Sequence, residues 1–358
     1  MTYFLQDILR QPQELERAIS YLSGAGRHTL QTAAVTIRKA RHVYLTGIGS
    51  SWNAAFGASA IFYGAGRPVY LQDAGELLQF ATFPAESVII AISRSGRTVE
   101  IVNLLAKARE SEATVIGITN SADSVLAQEA QISILLPTLR DHAVSVNTYS
   151  ALALAAAALA CAVVDSFDEK LAISLSTSVA ETERRIPNWQ EQIAGNNWFA
   201  PGKLVHFLAR GGSLGSCYEA RLLWEEGAKS EATALGTASF RHGPQEMVVK
   251  GSRFGIWVDR QRGREQDLSV ARDLRRLGAS VVLIGQNLPP DSGDLVFQLP
   301  SIPAQWQFMI DILPAQLAAE YLARLSGVDC DSFRICSYIV EDEFGLIGTE
   351  GAAQKGVK

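Results

Sequence analysis

Basic residues are the minority charge in this 358-residue sequence: 32 lysines and arginines stand against 37 aspartates and glutamates, a formal charge of −5. A nucleic-acid or anionic-membrane surface needs a positive field, so neither partner is expected, and an anionic ligand would have to be held by local groups. Cysteine and histidine are scarce as well. Cys161, Cys217, Cys330 and Cys336 form no CxxC pair and the five histidines are scattered, so no metal set is expected. Reduced, mostly buried thiols are expected instead, and with them a cytoplasmic location. Long apolar runs are missing too: the most hydrophobic stretch, Ala151 to Val164, is too short to span a bilayer, and its alanines suit a closely packed buried helix. The N-terminal MTYFLQDILRQPQELERAI carries Asp7, Glu14 and Glu16 among its apolar positions, which excludes a signal peptide and predicts an amphipathic helix.

What is present is an alternation. Short runs rich in valine and isoleucine (HVYLTGIG, SVIIAISRSG and TVIGITN, then KLVHFLARGG, RFGIWVD and SVVLIGQN) are separated by segments of helical length. That pattern predicts α/β architecture, with parallel strands and crossover helices. It is also written twice, since the strand ending in Gly47, Gly49, Ser50 and Ser51 is matched by a later one ending in Gly211, Gly212 and Ser213. Two similar domains are therefore expected, at 32–166 and 198–335. A helical segment at 1–31 would precede them, a helical connector at 167–197 would join them, and a tail would follow at 336–358.

Parallel sheets bind ligands at the carboxyl ends of their strands, where glycine-rich turns let backbone amides face an anion. The turn TGIGSSWNAA has GxG, but Trp52 stands where a dinucleotide fingerprint needs its third glycine; Asp73, after the candidate strand PVYLQD, keeps a dehydrogenase as a third reading. The turn AISRSGRT is the stronger signal. Ser93, Ser95 and Thr98 surround Gly96 with Arg94 and Arg97 beside them, a composition suited to a phosphate cradle. A serine-rich N-cap on the next helix is the competing account of the same residues.

Read together, GIGSSW and AISRSGRTVE resemble the sugar-isomerase (SIS) domain, and the similarity runs over roughly residues 35–341. The resemblance implies tandem SIS domains, each a parallel sheet flanked by helices in a three-layer αβα arrangement, most similar to the isomerase module of glucosamine-6-phosphate synthase and the amino-sugar-phosphate deaminases and isomerases. It implies that Ser51, Ser93, Ser95 and Thr98, with Arg94, hold a phosphate, while Gly49, Ser50 and Glu219 support the site. By the same resemblance Glu226 is the acid-base carboxylate. His242, in SFRHGPQE, falls on the histidine that assists ring opening, often in the partner subunit's site. Moving a proton between C1 and C2 of an open-chain sugar phosphate needs a carboxylate base, and ring opening needs a group titrating near neutrality. Glu225 is expected to be solvated, because adjacent helical residues point apart.

The GxDxDxxR stretch holds Gly327, Asp329, Asp331 and Arg334, but Tyr338 and Leu223 stand where the synthase module has lysines. The chain begins MTYFL without a nucleophilic cysteine, so no glutaminase is expected in it. The expectation is a homodimeric phosphosugar isomerase or amino-sugar-phosphate deaminase working without a cofactor on a phosphorylated sugar, its dimer interface including the helix before Trp189 and the FRHGP turn. Retention of Glu226 and His242 favours the enzyme. The alternative, favoured by the missing lysines, is a sugar-phosphate sensor that uses the same cradle without turnover.

Overall fold

The structure is a computed structural model that describes residues 1–343, 345 and 346. Helices α1 (Tyr3–Ser23) and α2 (Arg27–Lys39) open the chain. The side chain of Thr2 caps α1, and Asp331 accepts from the amides of Tyr3 and Phe4, so the GxDxDxxR stretch fastens the start of the chain to its far end. The first domain then runs β1 (His42–Thr46), α3 (Ser50–Gly64), β2 (Tyr70–Leu71), α4 (Ala74–Phe80), β3 (Ser87–Ile92), α5 (Val99–Glu110), β4 (Thr114–Thr119), α6 (Val125–Glu129), β5 (Ile132–Leu135) and α7 (Asn147–Val163). Helix α8 (Glu169–Ala194), capped by Asp168, leads to β6 (Val205–Ala209), α9 (Ser213–Glu226), β7 (Ala232–Gly236), α10 (Thr237–Phe240), β8 (Arg253–Val258), α11 (Arg264–Arg276), β9 (Ser280–Gly285), β10 (Leu295–Gln298) and α12 (Leu313–Ser326).

Each half forms a five-stranded, wholly parallel sheet, ordered β2-β1-β3-β4-β5 in the first and β10-β9-β8-β6-β7 in the second. Taking β6 as the counterpart of β1, these are one topology repeated. In both sheets the order reverses beside the first strand, which opens a crevice at its carboxyl end. Central strands buried on both faces must be apolar throughout, and β3 (SVIIAI) is buried at every position.

Small side chains set how closely the halves approach. Every residue of α7 is buried, and its alanines let α3 lie against it. Helix α3 also packs on α9 across the domain boundary; a Cβ at Gly215 would meet the Asn53 carbonyl oxygen at 2.4 Å, so only glycine permits that crossing. Asp73 accepts from the amide of Glu76 and caps α4. That cap accounts for Asp73 in structural terms, in place of the ribose-binding role the dehydrogenase reading gave it. Cys161, Cys217 and Cys330 are buried free thiols, and Cys336 is exposed.

Candidate active site

The crevice of the first sheet holds a cavity of about 270 Å³. Its floor is made where β1 and β3 end. A Cβ at Gly47 would lie 2.7 Å from the Ser51 backbone, and Gly49 has φ +56°, so both glycines are required for the turn that starts α3 with Ser50 and Ser51. After β3 the chain turns through Ser93 to Thr98, with Gly96 at φ +58°.

The hydroxyls of this turn are set as donors. Ser93 Oγ accepts from the Gly96 amide at 3.0 Å, Ser95 Oγ from the Arg97 amide at 3.2 Å and Ser51 Oγ from the Arg94 amide at 3.3 Å. Each oxygen is fixed by an incoming N–H, and its own O–H remains to donate to a ligand. Thr98 precedes α5, yet its side chain makes no capping bond and its buried Oγ1 has no partner among the described residues. The N-cap explanation of the cluster fails at this residue, because the side chain that would cap does not.

Arg94 lines the cavity with its guanidinium committed elsewhere: it donates to the carbonyls of Ala143 at 2.9 Å and Tyr338 at 3.3 Å and stacks on the Tyr338 ring at 4.4 Å. The Tyr338 phenol in turn donates to the Asp141 carbonyl at 3.0 Å. Residues 336–338 and Val340 thereby form one wall of the cavity, with the Val99 amide, in the first turn of α5, donating to the Val340 carbonyl. Behind them buried Asp141 accepts from the amides of Val146, Asn147 and Thr148 and from Asn147 Nδ2, which shapes the loop presenting Ser145. Periodicity carries no signal for Asp141, Ser145 or this wall. Arg97 is held away from the cavity by Asp123 at 2.7 Å.

Glu226, at the last turn of α9, lines the same cavity as the hydroxyls. Burial pushes its carboxyl above the ordinary value; the Arg94 and Lys229 charges pull it down and Glu225 adds to the rise. Glu225 itself is exposed and faces Arg221 at 3.6 Å. Two turns earlier on the same helix face, Glu219 is fully buried and accepts from Ser50 Oγ and Asn53 Nδ2, each at 2.8 Å. It joins α9, which carries Glu226, to α3, which carries Ser50 and Ser51.

Burial lifts Glu219 from 4.5 to about 8 against the lowering effect of its two hydrogen bonds. Above 4.5 the unfolded chain loses this proton while the folded chain keeps it, so stability falls as pH rises from about 4.5 to about 8. Asp311, lifted to about 7, and Asp7, lifted to about 6, act in the same direction. In Glu219→Gln the loss of stability between pH 5 and pH 8 is expected to shrink by about 1–3 kcal/mol. Urea denaturation at both pH values measures it, and an unchanged difference would refute the assignment.

His242 lies apart from these residues. It is exposed in the turn after α10, where its amide donates to the Ser239 carbonyl, and it does not line the cavity of its own chain. Leu223 is buried in the core. No lysine or histidine lines this cavity among the described residues. Nor, among them, is there a group of three or more potential metal ligands, or a helix long and apolar enough to cross a membrane.

The fold and this crevice define an α/β protein with paired parallel sheets of one topology, and comparison with known proteins narrows the class. Residues 36–162 match the SIS domain model, and the second half of the chain repeats the sheet topology of the half that carries the match. It is 25% identical over 346 residues to the glutamine–fructose-6-phosphate aminotransferase (isomerizing) of Streptococcus pyogenes, covering 93% of this chain and 57% of that protein. This chain thus spans about half the length of the curated relatives it matches. Among solved structures, the C-terminal domain of glucosamine-fructose-6-phosphate aminotransferase from Francisella tularensis superposes with a TM-score of 0.82 at 20% identity, covering 93% of this chain and 98% of that one. Glucosamine-6-phosphate deaminase from Thermotoga maritima superposes with a TM-score of 0.78 at 21% identity, over 95% and 99%.

Proposed function

We propose that the cavity binds a 6-phosphorylated sugar, with the phosphate on Ser51, Ser93, Ser95 and Thr98, and that the chain acts as a phosphosugar isomerase or amino-sugar-phosphate deaminase. The observation that carries this reading is the hydroxyl set: three oxygens fixed by loop amides, and a buried Thr98 hydroxyl with no partner among the described residues, all lining one cavity that Glu226 also lines. A dianionic phosphate accepts from all four hydroxyls and from the α3 and α5 N-termini. The sugar then extends toward Glu226.

Glu226 takes the proton from C2 of the open-chain sugar as the C1 carbonyl oxygen takes up a proton, giving the enediol or enaminol, and returns it to C1 as the C2 hydroxyl or amine gives up one proton; in an amino sugar the resulting imine at C2 is hydrolysed by water to ketone and ammonia. A carboxyl raised by burial is a better proton carrier near neutrality than a solvated one. Arg94 and Tyr338 act as positioning residues that hold the outer wall. His242 of a second copy of the chain supplies the acid-base group for ring opening, since in its own chain it lies outside the cavity. A cavity lined by no lysine among the described residues favours a second reading, a sensor that binds the sugar phosphate without turnover.

The test is a thermal-shift screen against glucosamine 6-phosphate, galactosamine 6-phosphate, their N-acetyl forms, fructose 6-phosphate and NAD(P), with ammonia and isomer products assayed for every compound that stabilises. Stabilisation by a sugar phosphate with product formation supports the enzyme; stabilisation alone supports the sensor; no stabilisation by any sugar phosphate removes the cradle. Thr98→Ala is expected to weaken that ligand about tenfold, the loss of one hydrogen bond to a charged group, while leaving the ligand-free melting temperature unchanged, because Thr98 Oγ1 has no hydrogen-bond partner among the described residues. Equal affinity in the two proteins would remove Thr98 from the site.

A further inference from the structure

The repeat that builds the first cavity builds a second one. At the carboxyl ends of β6 and β8, the counterparts of β1 and β3, lies a cavity of about 430 Å³. Its floor is the turn Arg210-Gly211-Gly212-Ser213 that starts α9, with Gly211 at φ +57° and open space where a Cβ would be. The loop after β8 supplies Asp259, Gln261 and Arg262, in the position that Ser93 to Thr98 occupy after β3. The far wall is the last turn of α3, at Ala60, Ile61 and Gly64.

The two cavities are therefore exchanged images. Helix α3 begins at the first and ends at the second; α9 begins at the second and ends, with Glu226, at the first. Cations mark the second cavity. The Arg262 guanidinium lies against Gly64 and has no hydrogen-bonding or ionic partner among the described residues. Arg210 uses Nε on buried Asp267 at 2.7 Å, which fixes its plane and leaves its terminal nitrogens without a partner among the described residues. The acid in the wall, Asp259, accepts from the amides of Gln261 and Arg262 at 2.7 Å each and thereby shapes the loop that carries Arg262.

The geometry points to a second binding site here, for the phosphate group of a phosphorylated small molecule, held by Arg262, Arg210 and the amides that open α9. Guanidinium groups and a helix N-terminus on a glycine turn are the chemistry that recognises a phosphate monoester. The site is distinct from the cradle in the first domain and stands whether or not that cradle supports turnover. Because α9 and α3 run directly between the cavities, an anion fixed at the start of α9 also stiffens the helix on which Glu226 sits.

The test is calorimetric titration of the full chain with inorganic phosphate. The wild type is expected to bind two phosphates per chain. Arg262→Ala is expected to weaken one of them at least tenfold, with partial recovery in Arg262→Lys, while the double substitution Ser95→Ala with Thr98→Ala removes the other. Loss of the first-domain phosphate alone, with Arg262→Ala binding as the wild type does, overturns this site and leaves the proposed function standing. Loss in Arg262→Ala, with the Ser95/Thr98 variant unaffected, does the reverse. Competition by fructose 6-phosphate and by AMP in the Ser95/Thr98 variant distinguishes a sugar from a nucleoside as the organic half.

Discussion

Glu226→Gln is expected to reduce turnover about a thousandfold while the sugar phosphate still raises the melting temperature by the wild-type amount. General acid-base groups contribute roughly 10²–10⁴ to rate, and an amide of the same shape cannot carry the proton between C2 and C1. The hydroxyls proposed to hold the phosphate make no hydrogen bond with Glu226, so binding and turnover should separate. Ligand-free stability should hold or rise slightly above neutral pH, because burial already disfavours the charged carboxylate that glutamine removes. Initial rates with the substrate found in the screen, alongside thermal shift, measure both. Turnover within threefold of wild type would take Glu226 out of the chemistry; an equal loss of binding and rate would make it a ligand contact instead.

The second large effect lies behind the cavity. Asp141→Ala is expected to cost about 3 kcal/mol or more. Its carboxylate, nearly inaccessible, receives four hydrogen bonds from Val146, Asn147 and Thr148, and bonds to a charged group contribute about 1.5–3 kcal/mol each, less than additively. Removing it leaves those donors at the start of α7 without an acceptor. The same loop provides the Asp141 carbonyl for Tyr338 and the Ala143 carbonyl for Arg94, so the outer wall should loosen and ligand affinity should fall along with stability. Asp141→Asn, which keeps one acceptor oxygen, should recover part of the loss. Denaturant unfolding of the three proteins checks this, and a cost below about 1 kcal/mol would show that water replaces the carboxylate without penalty.

Local chemistry made the architecture legible before any coordinates. Strands such as SVIIAI are apolar at every position because both faces are covered, and the glycine turns at Gly47 to Ser51 and Gly211 to Ser213 repeat because the same strand-to-helix bend is made twice. Those turns also singled out Ser51, Ser93, Ser95 and Thr98, and the structure brings them to one cavity. What no turn shows is the use to which a side chain is put. Arg94 reads as a phosphate cation in AISRSGRT, yet it clamps two carbonyls and an aromatic ring contributed by segments distant along the chain.

The sequence by itself determined the class of fold, its duplication and the local chemistry of the cradle, because these depend on residues adjacent along the chain, where hydrophobic period and turn stereochemistry act. Tertiary structure alone decided that Glu219 ties α9 to α3 through both Ser50 and Asn53, that Tyr338 closes the wall on Asp141, and that Arg262 faces a cavity of its own. Each of those contacts joins segments far apart in the chain. Their direction is set by how two sheets and the helices α3 and α9 pack, and no local pattern records that packing.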